Sequence, residues 1–385
     1  MPALLPDVDP DGLLEYSVVY TDRSLNHMSA RFQQVMRDLS AMLKQAYGAQ
    51  AAVIVPGSGT FAMEAVARQF VQEQPVLIVR NGWFSYRWSQ IIDAGHLSDK
   101  VTVLKARRIA DAPESPFAPA PIAEVVATIT RDKPAVVFAP HVETSAGLML
   151  PDDYLRAVAE AVHAVGGLFV LDCIASGAMW VDMQATGVDV LISAPQKGWS
   201  GQPCCGFAML SSRALERLEQ TQSDSFACDL KKWLQIMQAY EKGAHAYHAT
   251  MPTDTLTEVR DQMREAFDIG LPALKAAQME LGRRVRASLE RRGVKSVAAP
   301  GFQAPGVVVS YTRDPEVQSG RAFAAHGMQI AAGVPLACDE PADYMSFRLG
   351  LFGLDKWKDV DAAAQRLDHV LDAVGLRAEE AVVHR

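Results

Sequence analysis

The chain has 385 residues, 49% hydrophobic and 21% charged, with a formal net charge of −8. That length leaves room for one large and one smaller globular domain, and the negative charge argues against nucleic acid as a main partner. Five cysteines without a CxxC pair, a start ("MPALLPDVDPDG") with no leader pattern, and no bilayer-length apolar run argue against disulfide, zinc and membrane classes and predict a cytoplasmic enzyme.

Up to about residue 25 the chain is irregular, punctuated by Pro and Asp. From Met28 onward, Phe32, Val35, Met36, Leu39, Met42 and Leu43 recur at helical spacing. "AAVIVPGSG" reads as a buried strand entering a glycine loop, and "TFAMEAVARQFV" as the helix behind it. "PVLIVRNG" and "PAVVFAPH" are further buried strands. "DYLRAVAEAVHAVGG" sets Leu155, Val158, Ala159, Val162 and Val165 on one helical face and stops at Gly166 and Gly167. "LFVLDC" and "VDVLISAPQK" are strands again. Strands that are apolar throughout and alternate with helices predict an α/β fold, with a mostly parallel sheet covered on both faces. Sites in such sheets lie beyond the carboxyl ends of the strands. Ser58, Thr60, Asn81, His141 to Ser145, Asp172 and Lys197 all fall there.

After about residue 255 the pattern predicts one long helix from Leu256 to about Arg292. Strands follow in "GVVVSYT", "GMQIAAGV" and "YMSFRLGLFG". A last amphipathic helix carries Val360, Ala364, Leu367, Val370, Leu371 and Val374, completing a smaller α+β domain. The basic run "RRVRASLERRG" (283–293) reads as the wet face of the long helix, not as a nucleic-acid arm.

Chemistry concentrates around "LISAPQKGWSGQPCCGF" (191–207), where Lys197 is a lone cation among small, turn-forming residues. A lysine snorkelling to water is one reading. Asp172, 25 residues earlier, ends a buried strand, where a carboxylate is costly unless it meets a cation or several donors. It could cap the next segment of chain or pair with Lys197. The two could also hold a pyridine ring between them, the lysine as an imine and the carboxylate keeping the ring nitrogen protonated. "PGSGT" supplies Gly57, Ser58, Gly59 and Thr60 at a helix N-terminus, which suits a phosphate. The same segment fits a loose G-x-G-x-x-A dinucleotide pattern, but no acidic residue closes a second strand about 20 residues on.

Taken in order, "GSGTFAMEA", "NGWFSYR", "HVETSAG", "LDCIAS", "SAPQKGWSG", "YHATMPTDTL" and "FRLG" resemble the motifs of fold-type I, class V pyridoxal-phosphate (PLP) aminotransferases. The group with alanine–glyoxylate, serine–pyruvate and 2-aminoethylphosphonate transaminases is the most similar. The resemblance runs from about residue 26 to 353. It implies a large PLP-binding domain over 26–255 around a mostly parallel seven-stranded sheet. Residues 1–25 would line the site entrance, and 256–385 would form a linking helix and a small C-terminal domain.

The resemblance also implies ping-pong transfer of an amino group from a small amino acid to a 2-oxo acid such as glyoxylate or pyruvate. Lys197 would be the Schiff-base lysine and the base that moves the proton at Cα. Asp172 would pair with the pyridinium nitrogen, and Ser58, Gly59, Thr60 and Gln196 would hold the phosphate. Phe84 would stack on one ring face, with Trp83 as the neighbour that takes this place if the register shifts by one. Ile174 would pack against the other face, Thr144 beside the ring hydroxyl, and Arg348 would take the substrate carboxylate. Tyr247 and Thr250 would reach the neighbouring subunit's phosphate, implying a homodimer with shared sites. No metal is expected, although His245 and His248 lie nearby.

Three features depart from the family. Cys338 precedes Arg348 in "PLACDEPADYMSFR", and in related desulfurases and C–S or C–Se lyases a loop cysteine precedes the substrate arginine, which gives an alternative reading. The adjacent Cys204 and Cys205 lie outside the family pattern. The opening "DPDGLLEYSVVYTDRSLNHMS" replaces a Gly-Pro-rich segment, so donor and acceptor stay open.

Overall fold

A computed structural model describes residue 9 and residues 12–376. The start of the expected entrance segment therefore lies outside the described residues, and residues 12–29 contain no helix or strand.

Seven strands build the main sheet: β1 (Ala51–Pro56), β2 (Val76–Arg80), β3 (Val101–Lys105), β4 (Val136–Pro140), β5 (Leu168–Asp172), β6 (Val190–Ser193) and β7 (Cys205–Leu210). Their order is β1-β7-β6-β5-β4-β2-β3, and only β7 runs against its neighbours. Every residue of β2, β4, β5, β6 and β7 is buried, which is why these segments are apolar without alternation. The helices are α1 (Ala30–Tyr47), α2 (Gly59–Phe70), α3 (Trp83–Gly95), α4 (Ile122–Asp132) and α5 (Asp152–Ala164). Ser29 starts α1 by accepting the Phe32 N–H at 3.0 Å. Because β7 reverses direction, its first residue, Cys205, lies opposite Pro56 at the end of β1. The carboxyl ends of β1, β2, β4, β5 and β6 thus share one edge, and the candidate residues lie just beyond those ends.

The single helix expected over 256–292 is two helices, α6 (Thr253–Ile269) and α7 (Leu271–Glu290). Gly270, with φ +100°, breaks the first, and Pro272 sits in the first turn of the second, where its missing N–H costs nothing. A three-stranded antiparallel sheet follows from β8 (Val307–Tyr311), β9 (Ala331–Ala332) and β10 (Ser346–Gly350), with β10 in the centre. The strand expected in "GMQIAAGV" shrinks to Ala331 and Ala332. Leu281 and Val285 of α7 and Leu367 and Leu371 of α8 (Val360–Ala373) pack with Phe347 and Leu349 of β10 in one apolar cluster. No described helix is long and apolar enough to cross a membrane.

Candidate active site

The loop between β1 and α2 is the candidate anion cradle. Ser58 precedes the helix with an extended backbone, and its hydroxyl caps nothing. Phe61 and Ala62 N–H donate to Ser58 O at 3.0 and 3.3 Å, so Gly59 and Thr60 carry the N–H groups that a helix start leaves without a preceding carbonyl, and the helix dipole adds partial positive charge there. Glycine at position 59 lets Ile174 come close: a Cβ there would stand 2.5 Å from Ile174 Cδ1 and would push that side chain aside. Ile174 thereby closes the cradle on its inner side. Thr60 Oγ1 accepts from Arg87 Nη1 at 3.0 Å, so a guanidinium stands beside the cradle.

Lys197 lies four residues beyond β6, in a tight turn where Ser200 N–H donates to Lys197 O and Gly201 N–H to Pro195 O. Trp199 anchors that turn. It is fully buried and packs on Trp180 (ring centroids 4.5 Å), Tyr47 (6.1 Å) and Phe267 (6.1 Å). Gly198 is required as well, since a Cβ would lie 2.2 Å from Gly177 O. The lysine side chain is half-buried, with Nζ 5.3 Å from the Phe352 ring centroid. Burial, aided by the nearby Arg348 charge, pushes its pKa below the usual lysine range, while Asp172 pulls it back up. That suits an amine that must be neutral to act as a nucleophile.

Asp172 ends β5 and is 8% exposed. Its Oδ1 accepts the Ile174 N–H at 2.9 Å, its one hydrogen bond among the described residues. Burial raises its pKa to about 6, Glu143 pushes the same way, and Arg87 and Lys197 oppose them. The carboxylate thus lacks a donor. His141, just beyond β4, is buried against Ser176 Oγ at 2.7 Å, and burial lowers its pKa to about 4, so the ring is neutral.

The start of α3 is held by Glu143, which the sequence places in the candidate stretch 141–145 without giving it a role. Glu143 is fully buried and accepts five hydrogen bonds: from Phe84 N–H (3.1 Å), Ser85 N–H (2.8 Å), Ser85 Oγ–H (2.7 Å), Ser145 N–H (3.1 Å) and Ser145 Oγ–H (2.7 Å). A carboxylate at a helix N-terminus meets both the free N–H groups and the dipole. It fixes Phe84, whose ring centroid lies 5.5 Å from Arg348 Cζ and 5.4 Å from Arg87 Cζ. Arg348, on β10, donates from Nε to Ala332 O at 2.7 Å, leaving both Nη nitrogens for an anion. Burial lowers its pKa, and the Glu143 charge counters that. An amine, a donor-hungry carboxylate, a guanidinium and an anion cradle therefore meet at one edge of the sheet.

Residues 12–313 match the aminotransferase class-V family. The chain belongs to the class V aminotransferases. It is 28% identical over 362 residues to 2-aminoethylphosphonate–pyruvate transaminase 2 of Paraburkholderia xenovorans, covering 92% of both chains. It is 33% identical over 283 residues to the 2-aminoethylphosphonate–pyruvate transaminase of Burkholderia mallei, covering 69% of this chain and 71% of that one. Its fold is that of the alanine–glyoxylate aminotransferase structure from Nostoc, with TM-score 0.76, 23% identity, and 91% and 89% of the two chains covered. This class V aminotransferase is accordingly a fold-type I enzyme that uses PLP to move an amino group to a 2-oxo acid.

The aminotransferase's remaining expected residues are distributed unevenly. Thr144 is half-buried beside Glu143, and Trp83 starts α3 with its N–H donated to Ser145 Oγ at 2.9 Å. Gln196 precedes the lysine but is exposed. Tyr247 and Thr250 bond each other through their hydroxyls at 3.1 Å on the exposed surface. Cys338 does not fit a mobile nucleophile. It is 4% exposed, its Sγ contacts Arg80 O at 3.4 Å, and burial, with Glu143 and Glu340 nearby, pushes its pKa to about 12. Its loop is tied down by the Glu340 carboxylate, which accepts the N–H groups of Leu336, Ala337 and Cys338. The structure therefore removes the support for sulfur or selenium chemistry at Cys338.

Proposed function

We propose that this aminotransferase takes its amino group from 2-aminoethylphosphonate or a closely similar small amine bearing an anionic group, and delivers it to pyruvate. The observation that carries the reading is the half-buried Lys197 amine, with lowered pKa, set between the Asp172 carboxylate and the Arg348 guanidinium. The donor class is supported by the relatives named for 2-aminoethylphosphonate and pyruvate, one matched over 92% of its length.

The residues fit PLP. Buried Asp172 accepts one hydrogen bond, from Ile174 N–H, and so has capacity for a protonated ring nitrogen, and the Ser58 hydroxyl at the start of α2 caps no backbone N–H and suits a phosphate. Bound there, the cofactor contributes an aldehyde that takes up the amino group and a protonated ring that withdraws electrons. Ser58, Gly59, Thr60 and Gln196 would hold the phosphate. Phe84 and Ile174 would flank the ring, and Thr144 would stand by its hydroxyl. Lys197 would anchor the cofactor and, once released, carry the proton to and from the carbon bearing the amine. Asp172, ionised by its new partner, would keep the ring nitrogen protonated. Arg348 would fix the substrate anion through its Nη nitrogens. We further propose a homodimer, in which the exposed Tyr247 and Thr250 reach the partner's phosphate and the exposed Leu13, Leu14, Tyr16, Val18 and Phe226 are covered.

The test is a donor panel with pyruvate as acceptor and alanine formation as readout. Turnover with 2-aminoethylphosphonate at a kcat/KM well above that for aspartate, serine or cysteine is expected. Turnover with amino acids alone would reassign the donor, and release of sulfide from cysteine would reopen lyase chemistry.

A further inference from the structure

Beyond the site edge lies a pair of residues that the amino-transfer chemistry does not use. Cys204 and Cys205 are adjacent, both thiols are free, and their sulfurs stand 3.7 Å apart. Successive side chains of a regular strand point to opposite faces, so bringing both sulfurs together requires the irregular backbone that ends the exposed Gln202–Pro203 loop. Cys204 is partly exposed, and Cys205 is buried at the start of β7. The other three cysteines are buried, and no other pair of cysteine sulfurs is in hydrogen-bond contact among the described residues.

Distances decide what this pair can take. A direct disulfide needs sulfurs about 2.05 Å apart and Cα atoms about 4.4–6.8 Å apart, whereas neighbouring Cα atoms are held at about 3.8 Å. A pyramidal trivalent arsenic bound to both thiolates draws them inside their van der Waals contact distance, so a pair already in contact needs only to close part of its separation. The observed 3.7 Å spacing brings both sulfurs within reach of one bridging atom after a closing movement of Cys205. Zinc would need further ligands, and no group of three or more His, Cys, Asp and Glu residues comes together among the described residues. A trivalent arsenical needs only two thiolates, because its third position is already taken by carbon. The neighbouring thiol lowers the pKa of Cys204, so this sulfur attacks first, while burial raises that of Cys205, whose proton leaves only as the second As–O bond breaks.

The pair also touches the cofactor cradle from behind. Cys204 O accepts the Gly57 N–H at 2.9 Å, and at Gly206 a Cβ would lie 2.7 Å from Ser58 O. We propose that Cys204 and Cys205 form a vicinal dithiol site for trivalent organoarsenicals, and that its occupation loosens the cradle through the Cys204–Gly57 link. The second half rests on the reading that the cradle holds the PLP phosphate. In the reaction two As–O bonds of the hydrated arsenical, R–As(OH)2, break and two As–S bonds form. The two thiol protons leave with the hydroxides as two waters. Arsenic stays trivalent, and no oxidant takes part. Drawing in the buried Cys205 sulfur requires the start of β7 to shift, and the Cys204 carbonyl shifts with it.

The experiment treats the PLP-loaded protein with phenylarsine oxide and reads intact mass and cofactor retention. One arsenical per chain is expected, resistant to 2-mercaptoethanol and removed by 2,3-dimercaptopropanol, and absent in C204S and in C205A. Labelled protein should bind PLP about tenfold more weakly, the effect of losing one well-placed hydrogen bond. Two variants are used so that a folding defect in the buried C205A does not decide the matter. Labelling that persists in C204S, or that a monothiol reverses, overturns the dithiol site. Full labelling with unchanged PLP affinity overturns the coupling. Failure of unlabelled protein to bind PLP would sink the cradle reading instead, and the mass readout would still judge the dithiol.

Discussion

Replacing Glu143 with glutamine tests how the start of α3 is held. Oε1 accepts from Phe84 N–H, Ser145 N–H and Ser145 Oγ–H, and Oε2 from Ser85 N–H and Ser85 Oγ–H. With the amide nitrogen in the Oε2 position, both Ser85 bonds are lost and one N–H faces another. Hydrogen bonds to a charged group contribute about 1.5–3 kcal/mol each. Ser85 Oγ can turn fully to Gly82 O, its second acceptor at 3.0 Å, and relief from burying a charge offsets part of the remainder. The net cost is about 3 kcal/mol, a fall in Tm of roughly 4 °C at this chain length, since unfolding entropy is about 2.1 cal/mol/K per residue. Because α3 carries Phe84, kcat/KM should also drop about tenfold or more. Thermal unfolding at a fixed scan rate and steady-state kinetics on E143Q measure both. A variant within about 0.5 kcal/mol of wild type, with unchanged kinetics, would show that the carboxylate does not hold the helix.

The same geometry gives further expected outcomes. In cofactor-free protein the raised Asp172 pKa stabilises the fold below the ordinary aspartate value of 3.8, and that stabilisation is lost as pH rises through about 6. Wild type should therefore lose about 2 kcal/mol relative to D172N between pH 4.5 and 7, read from denaturant midpoints; parallel curves would contradict the burial argument. R348A should raise the KM for the anionic donor by about 10–100-fold with a smaller change in kcat, and an unchanged KM would remove Arg348 from substrate binding. C338A should keep kcat within about twofold and release no sulfide from cysteine, whereas abolished turnover would restore a chemical role. Mixing inactive K197A with inactive Y247F/T250A subunits should restore part of the activity if sites are shared, and no recovery in confirmed mixed dimers would place each site within one chain.

The parallel core is legible in the sequence because β4, β5 and β6 are buried on both faces and so read as unbroken apolar runs. The cradle and the lysine turn are legible too, since glycines and a lone cation at strand ends have few bland explanations. Strand direction leaves no such mark, and nothing in "CGFAML" announces that β7 runs backwards. The helix break at Gly270 is hidden because apolar spacing continues across it. The role of Glu143 is hidden for a different reason. Five of its six neighbours in "HVETSAG" are small or polar, so the segment reads as a loop, and three of its five hydrogen bonds come from residues 84 and 85, far away in sequence. Its one available signal is an acid among those small and polar neighbours. Cys338 misleads in the opposite sense, because sequence order places it before Arg348 but cannot show that Glu340 ties its loop shut.

The place of the lysine anchor is tested most directly by incubating the protein with PLP, reducing it with borohydride and mapping the modified peptide. The cofactor adduct is predicted on Lys197, in the peptide containing "SAPQKGWSG", and absent in K197A. An adduct on another lysine, or none after reconstitution, would contradict the placement of the site at the carboxyl end of β6.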